Sequence, residues 1–316
     1  MIGIAKKLTD IGVLTINKRN ADYMLRYNPR GLYPLVDDKL LTKRLAVQHG
    51  IAVPELYGVV EVERQVREMP QLLARHPDFV VKPAHGSGGK GILVISGRLG
   101  DNFRKVGGRM VTWGELNHHM FNILSGLYSL GGQPDAALIE YRVEFDPIFE
   151  QISYQGVPDI RMVVFLGVPA MSMVRLPTRE SDGKANLHQG AVGAGIDIAA
   201  GRTVAAVWGG RIVTEHPDTQ HALIGVEIPG WEELLALAAR CGEITGLGYQ
   251  GVDIVLDREK GPLVLELNAR PGLNIQIANN AGLLRRLNLV EERASKLATV
   301  SERVAFAMRN FGASVH

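Results

Sequence analysis

The chain has 316 residues, 46% of them hydrophobic and 22% charged, which permits a sizeable core and excludes wholesale disorder. A formal net charge of +2 excludes the broad basic surface on which nucleic-acid proteins depend. No apolar run reaches the ~18 to 20 residues of a membrane span. The N-terminal MIGIAKKLTD has no continuous apolar stretch after its lysines, so the cytoplasm is the expected location. The single cysteine, Cys241, cannot form an intramolecular disulfide and falls in a helical pattern, where a buried thiol is expected.

In chain order, NKRNADYMLRYNPRG predicts one or two helices followed by an extended connector. DDKLLTKRLAVQHGIAVPEL has a helical period through Leu40, Leu41, Leu45 and Val47, ends at Gly50 and feeds a strand. DFVVKP and GILVIS read as strands joined by the glycine-rich AHGSGGKG. TWGELNHHMFNILSGLYSLGG is helical and AALIEYRVE extended, and DIRMVVFLGVPAMSMVRLPT is a hairpin turning at Gly167, Val168 and Pro169. After the glycine-punctuated SDGKANLHQGAVGAGIDI, WEELLALAARCGEITGL is an amphipathic helix. Strands over 251–256 and 263–267 flank the turn DREKG, and the tail over 279–315 is helical. Hairpins mixed with helices, without regular β-α alternation, predict an α+β fold.

Gly86 to Gly91 spell G-S-G-G-K-G, a formal match to the dinucleotide fingerprint G-x-G-x-x-G, but that motif opens a helix and here a strand follows. The P-loop pattern fails at Ala84 and Gly91. Two readings fit: a mobile glycine turn with solvated lysines, or a hairpin loop whose backbone N–H groups close over phosphates, with Lys82 and Lys90 adding charge. In VDIVLDREKGPLVLELNARPGLN, Glu266, Asn268 and Arg270 share one strand face and Leu265, Leu267 and Ala269 the other. If the two strands pair, Asp253 joins Glu266 and Asn268 in an oxygen-only set suited to Mg²⁺. Ion pairing on a solvated sheet face is the competing explanation. His118 and His119 have no partners at metal spacing and read as solvated or interfacial. His188 reads as a substrate contact or a loop-ordering group, and Trp113, Trp208 and Trp231 as packing. Lys18, Arg19, Asn20 and Arg26 form a polar patch that would cover the site, bind a partner or stay solvated.

Eight landmarks in order, DDKLLTK, VVKPAHGSGGKG, LIEYRV, DIRMVVFLG, MVRLPT, KANLHQGAVG, GVDIVL and LELNARPGLN, resemble the ATP-grasp superfamily, in its ribosomal S6 modification or α-L-glutamate ligase branch. The resemblance covers roughly residues 37–276. It implies an ATP-grasp fold of two α+β subdomains sandwiching ATP, with a truncated N-terminal region and a C-terminal helical tail. The expected parts are a short segment over 1–36, a helix-and-strand lead-in over 37–76 and a small ATP-binding subdomain over 77–142. A large subdomain with the metal site spans 143–290 and a C-terminal helix 291–316. Lys39 and Lys82 would contact ATP phosphates, with Gly86, Ser87, Gly88, Gly89, Lys90 and Gly91 as a lid. Glu140, Tyr141 and Val143 would hold adenine, and Asp253, Glu266 and Asn268 would bind Mg²⁺ or Mn²⁺. Arg161, Arg175 and Asn186 would hold the γ-phosphate and an acceptor carboxylate, and Arg270 the acyl phosphate.

The implied activity is ATP-dependent carboxylate–amine ligation through an acyl phosphate, on glutamate-like amino acids or peptides, by a homo-oligomer with no nucleic-acid partner and with a membrane protein as a candidate partner. Related proteins have an N-terminal domain of ~100 residues where residues 1–36 stand here. Gln189 and Ala191 also depart from the branch's acceptor loop. Those departures keep a second reading open, a nucleotide-binding regulatory module without turnover, and a third, a phosphotransferase that stops at phosphoryl transfer.

Overall fold

The computed structural model describes residues 11–86 and 88–312, the side chain of Leu130 excepted. The described chain divides into two compact units. One comprises Asp38–Lys43 and Val53–Glu144; the other comprises residues 11–37, Arg44–Ala52 and residues 145–312. Both sheets are antiparallel throughout, as the hairpin-rich sequence predicts.

The smaller unit carries β1 (Leu56–Val60), β2 (Phe79–Pro83), β3 (Leu93–Leu99), β4 (Asn102–Lys105), β5 (Met110–Val111) and β6 (Ala137–Glu140), in the order β1-β6-β2-β3-β4-β5. AALIEYRVE therefore yields only a four-residue strand, ending at Glu140. The helix Trp113–Leu124 starts on a capping box, in which Thr112 and Glu115 exchange side-chain to backbone hydrogen bonds. Its Leu116, Met120 and Ile123 recur at helical spacing and pack against Phe79, Val81, Ile95 and Phe103 on one sheet face. The opposite face, carrying Leu138, is covered by Leu40 of the helix Lys39–Gln48 and by Ala84. Alternation along β2 sends Phe79 and Val81 into the first cluster and Lys82 to the second face.

The larger unit carries β7 (Asp159–Phe165), β8 (Val168–Leu176), β9 (Val192–Ile196), β10 (Thr203–Trp208), β11 (Arg211–Ile212), β12 (Tyr249–Asp257) and β13 (Gly261–Asn268). Their order is β11-β10-β9-β8-β7-β12-β13. The β7–β8 turn falls at Leu166 and Gly167, both at positive φ, and the expected turn residues Val168 and Pro169 lie in β8. The helices Trp231–Thr245 and Val300–Asn310 pack on one face. A Cβ on Gly242 would lie 3.2 Å from the Gly167 Cα, so the helix rides directly over the hairpin turn.

On the other face, Asp159, Arg161, Arg175, Asp253, Glu266 and Asn268 stand in register with Gly193 and Gly195. A Cβ on Gly195 would meet the Ala278 carbonyl oxygen at 2.6 Å, because the helix Ile275–Ala278 packs there. The N-terminal stretch belongs to this unit. Asn28 bonds both backbone groups of Tyr249 and the Ala269 carbonyl, and Gln276 bonds both backbone groups of Leu14. The expectations for MIGIAKKLTD lie outside the described residues. Among those described, no helix is long and apolar enough to cross a membrane.

Cys241 is fully buried in the helix Trp231–Thr245, and burial pushes its thiol up to about 12, Arg240 opposing only weakly. Titration with a thiol reagent at neutral pH is expected to find no reactive sulfur in the folded protein and one equivalent after unfolding in guanidinium. Rapid labelling of the folded chain would contradict the packing.

Candidate active site

In the smaller unit, the carboxylate of Glu140 is held between two ammonium groups. Lys82 Nζ lies 2.5 Å from one oxygen and Lys43 Nζ 3.0 Å from the other, all three side chains being less than a tenth exposed. Lys43 also donates to the Pro54 carbonyl, and its contact with Glu140 Oε2 has the distance of an ion pair without hydrogen-bond angles. Burial pushes the Glu140 carboxyl up, but Lys82 and Lys43 together outweigh this and hold it below its ordinary value. For Lys43 burial wins over Glu140, and its ammonium is pushed down. Two lysines against one carboxylate leave an excess positive charge on this face, suited to a polyanion.

Lys39 donates to the Gly86 carbonyl at 2.5 Å, at the start of the glycine loop. There His85 is clamped by Asp135, which accepts from the His85 backbone N–H at 3.1 Å and from Nδ1 at 2.8 Å. At the far end, His119 Nε2 donates to the Gly91 carbonyl at 2.9 Å. The Tyr128 ring lies 2.6 Å from where a Gly91 Cβ would be. His119 is thus half-buried against the loop, where the sequence suggested a solvated or interfacial side chain. Gly88 and Lys90 are exposed and Gly89 is half-buried; Ser87 lies outside the described residues. The Tyr141 backbone N–H bonds Glu55, and Val143 is buried.

In the larger unit, Asp253 is opposite Arg161 on β7 and Glu266 on β13, and Asn268 is opposite Gly251. Arg161 grips both Asp253 oxygens, Nη2 to Oδ2 at 2.6 Å and Nε to Oδ1. Arg175 reaches the same Oδ2 at 2.8 Å while making a two-point contact with Asp159 at 2.5 and 2.6 Å. Burial pushes the Asp253 carboxyl up, and the two guanidiniums overcome this and hold it low. Asp159 shares Arg175 with Asp253, and burial pushes it up to about 6. The Asn268 amide nitrogen is buried without a hydrogen-bond partner in the described chain.

Among the described residues, no three His, Cys, Asp or Glu side chains come together at metal-binding spacing. The expected set has two carboxylates and an amide, and its oxygen donors fit a hard divalent cation. The orphaned Asn268 amide fits a face completed by a ligand. Any cation there would share Asp253 with Arg161 and Arg175.

Asn186 caps the short turn 187–189 by accepting from the His188 backbone N–H at 3.0 Å, and the His188 ring is exposed. Arg270 is apart from the Asp253 network, its guanidinium pairing with Asp37 at 2.7 Å and lying 5.1 Å over the Tyr33 ring. In the N-terminal patch, Arg19 donates to the Pro271 carbonyl, Arg26 pairs with Glu291 and Lys18 with Asp22.

A family model for sugar-transfer-associated ATP-grasp proteins matches residues 18–292. The chain belongs to that family. It is also 34% identical over 236 residues to a probable alpha-L-glutamate ligase of Maridesulfovibrio salexigens, a match covering 75% of this chain and 56% of that protein. The chain thus spans little more than half of that relative's length. Among solved structures, D-cycloserine synthetase DcsG aligns at 17% identity and TM-score 0.48, covering 84% of this chain and 73% of that one. D-alanine–D-alanine ligase from Bacillus anthracis aligns at 15% and 0.45, covering 84% and 69%.

The ATP-grasp landmarks held more than the residues singled out in them. Lys43 lies one helical turn after Lys39 inside DDKLLTK, and Asp159 alternates with Arg161 in DIR, so both shared a face with a chosen residue. His85, Asp135 and His119 had no such signal, because their contacts join segments 28 or 50 residues apart. Glu140→Gln would leave two buried ammoniums without a counter-charge and is expected to cost about 3 kcal/mol in urea unfolding. Lys43→Met, which leaves the Lys82 pair intact, should cost distinctly less. The Glu140 contribution is fully present above its ordinary value of 4.5 and is lost as pH falls below it, because its folded-state affinity for protons is depressed. Equal losses in the two variants would refute the arrangement.

Proposed function

We propose that this ATP-grasp chain is an ATP- and Mg²⁺-dependent ligase that joins a carboxylate to an amine through an acyl phosphate, with a glutamate-like amino acid or peptide as substrate. The observation that carries the reading is the sheet face on which Asp253, Glu266 and Asn268 stand beside Arg161 and Arg175. Oxygen donors and guanidiniums side by side suit a reaction in which charge moves among phosphoryl oxygens. The named activity of the Maridesulfovibrio relative supports the same class.

In the first step a substrate carboxylate oxygen attacks the γ-phosphorus of ATP, the bond to the β-phosphate oxygen breaks, and ADP leaves. In the second an amine nitrogen attacks the acyl carbon, phosphate departs with its oxygen, and the amine loses a proton. Lys39 and Lys82 would hold ATP phosphates, Tyr141 and Val143 would line the adenine, and Gly86 to Gly91 would close over the phosphates. Asp253, Glu266 and Asn268 would hold Mg²⁺ or Mn²⁺, which when bound neutralises phosphate charge. Arg161 and Arg175 would stabilise the transferring phosphoryl group, Asn186 would orient the acceptor, and Arg270 would have to exchange Asp37 for the acyl phosphate. Most of the acceleration would come from positioning, since no protein nucleophile is required.

A screen of amino acids and peptides for Mg²⁺-dependent ADP and phosphate release, with mass spectrometry of products, tests this. Glu266→Gln and Asp253→Asn are each expected to lower kcat/KM by about 100-fold or more in folded protein. Full turnover in both variants would overturn the metal assignment. Thermal stabilisation by ATP with no product from any acid and amine pair would replace the ligase reading with a nucleotide-binding module.

A further inference from the structure

The loop that follows β8 is held from outside by a histidine absent from the expected site. The segment 214–223 folds back on itself, with Glu215 bridged to Ala222 and the Leu223 N–H on the Thr214 carbonyl at 2.8 Å. His216 sits at its base, 1% exposed. Its Nε2 donates to the Pro177 carbonyl at 3.0 Å, and its Nδ1 accepts from the backbone N–H groups of Asp218 and Thr219 at 3.3 and 3.4 Å. A carbonyl can only accept and an amide N–H can only donate, so these contacts define one neutral tautomer.

The same turn takes a second hold where Asp218 accepts from the Arg179 backbone N–H at 2.7 Å. The Pro177 carbonyl also accepts from the Tyr154 N–H at 3.0 Å. At the far end of the loop the Gly190 carbonyl accepts from Thr178 Oγ1 within the loop at 2.8 Å and from Trp208 Nε1 on β10 at 2.9 Å. Pro177 is two residues past Arg175, and the loop it opens contains Asn186. A shift at this carbonyl would therefore displace both the guanidinium and the amide.

We propose that His216 is a positioning residue that latches the loop 177–190, and with it Arg175 and Asn186, through the Pro177 carbonyl. The link to an acceptor rests on the ligase reading; the latch does not. Protonation of Nδ1 would turn an acceptor that faces two N–H donors into a third donor, so the latch releases in acid. The charged group acting on the ring is Asp218 on its own turn, and Arg179 on the facing loop lies 3.9 Å from that carboxylate, its guanidinium 5.3 Å over the Tyr154 ring. Burial pushes the imidazole below its ordinary 6.5, against the Pro177 bond and Asp218, so the latch is intact above that value and is lost as pH falls beneath it.

Two variants separate the bonds. His216→Asn can still accept from the turn but cannot reach Pro177, whereas His216→Gln can donate to Pro177 and loses the turn acceptor. Hydrogen exchange of 177–190 is expected to speed up by about tenfold in His216→Asn, the scale of one lost hydrogen bond, with β7 and β12 unchanged. His216→Gln should restore most of the protection. In the wild type the protection factors of this loop, taken relative to the intrinsic exchange rate at each pH, should fall as pH drops below 6.5 and the imidazole protonates, and neither variant should show that fall. In a ligation assay His216→Asn should raise KM for the acceptor and leave KM for ATP within about twofold. Unchanged loop exchange in His216→Asn, or loss of protection spread evenly over the unit, would overturn the latch. A wild type that ligates no acceptor yet loses protection in this loop as pH falls would sink the ligase reading and leave the latch standing.

Discussion

A carboxylate buried among apolar strands must be met by cations, and each unit is arranged around one such case. In the larger unit Asp253 lies at the centre of β12, a strand buried along its whole length, and Arg161 and Arg175 cross from β7 and β8 to reach it. In the smaller unit Glu140 ends β6 between Lys82 and Lys43. Desolvating an ion costs several kcal/mol, so these carboxylates persist only because paired charges and the register of antiparallel strands supply the compensation. The groups that compensate are also those a phosphate-bearing ligand would attract.

Because the network lies flat on a sheet, small residues decide what can approach it. The Gly251 Cα hydrogen faces the Arg161 side chain and Pro271, and a Cβ there would fall 2.8 Å from Pro271. Gly193 and Gly195 similarly allow the turn around Leu187 and the helix Ile275–Ala278 to pack onto the same face. The exit of β13 is fixed by the N-terminal stretch, through Asn28 on Ala269, Arg19 on Pro271 and Asp37 on Arg270. A stretch that reads as a short polar preface is thus part of the scaffold of the carboxylate strands.

Much of this was legible in the chain. Period-two alternation placed Glu266 and Asn268 on one face, and pairing across DREKG brought Asp253 opposite Glu266. The strand–glycine loop–strand reading also held, with β2 and β3 antiparallel. Less legible were residues whose importance comes from a partner far along the chain. His119 read as solvated or interfacial on its own helix, yet its ring bonds Gly91; His216 carried no motif, yet its ring bonds Pro177. Even AALIEYRVE, apolar enough for a longer strand, stops at Glu140, where the next N–H bonds Glu55 outside the strand.

Sequence alone determined what repeats locally: strand faces, helix periods, the glycine turn, the oxygen chemistry of Asp253, Glu266 and Asn268, and the ordered landmarks of the ATP-grasp family. Only the tertiary structure decided which charges share a partner. Arg175 is divided between Asp159 and Asp253, Glu140 between Lys82 and Lys43, and Arg270 goes to Asp37. Backbone geometry fixes the direction of each side chain within its own strand. The choice of counter-ion depends on strands and loops brought side by side from distant parts of the chain.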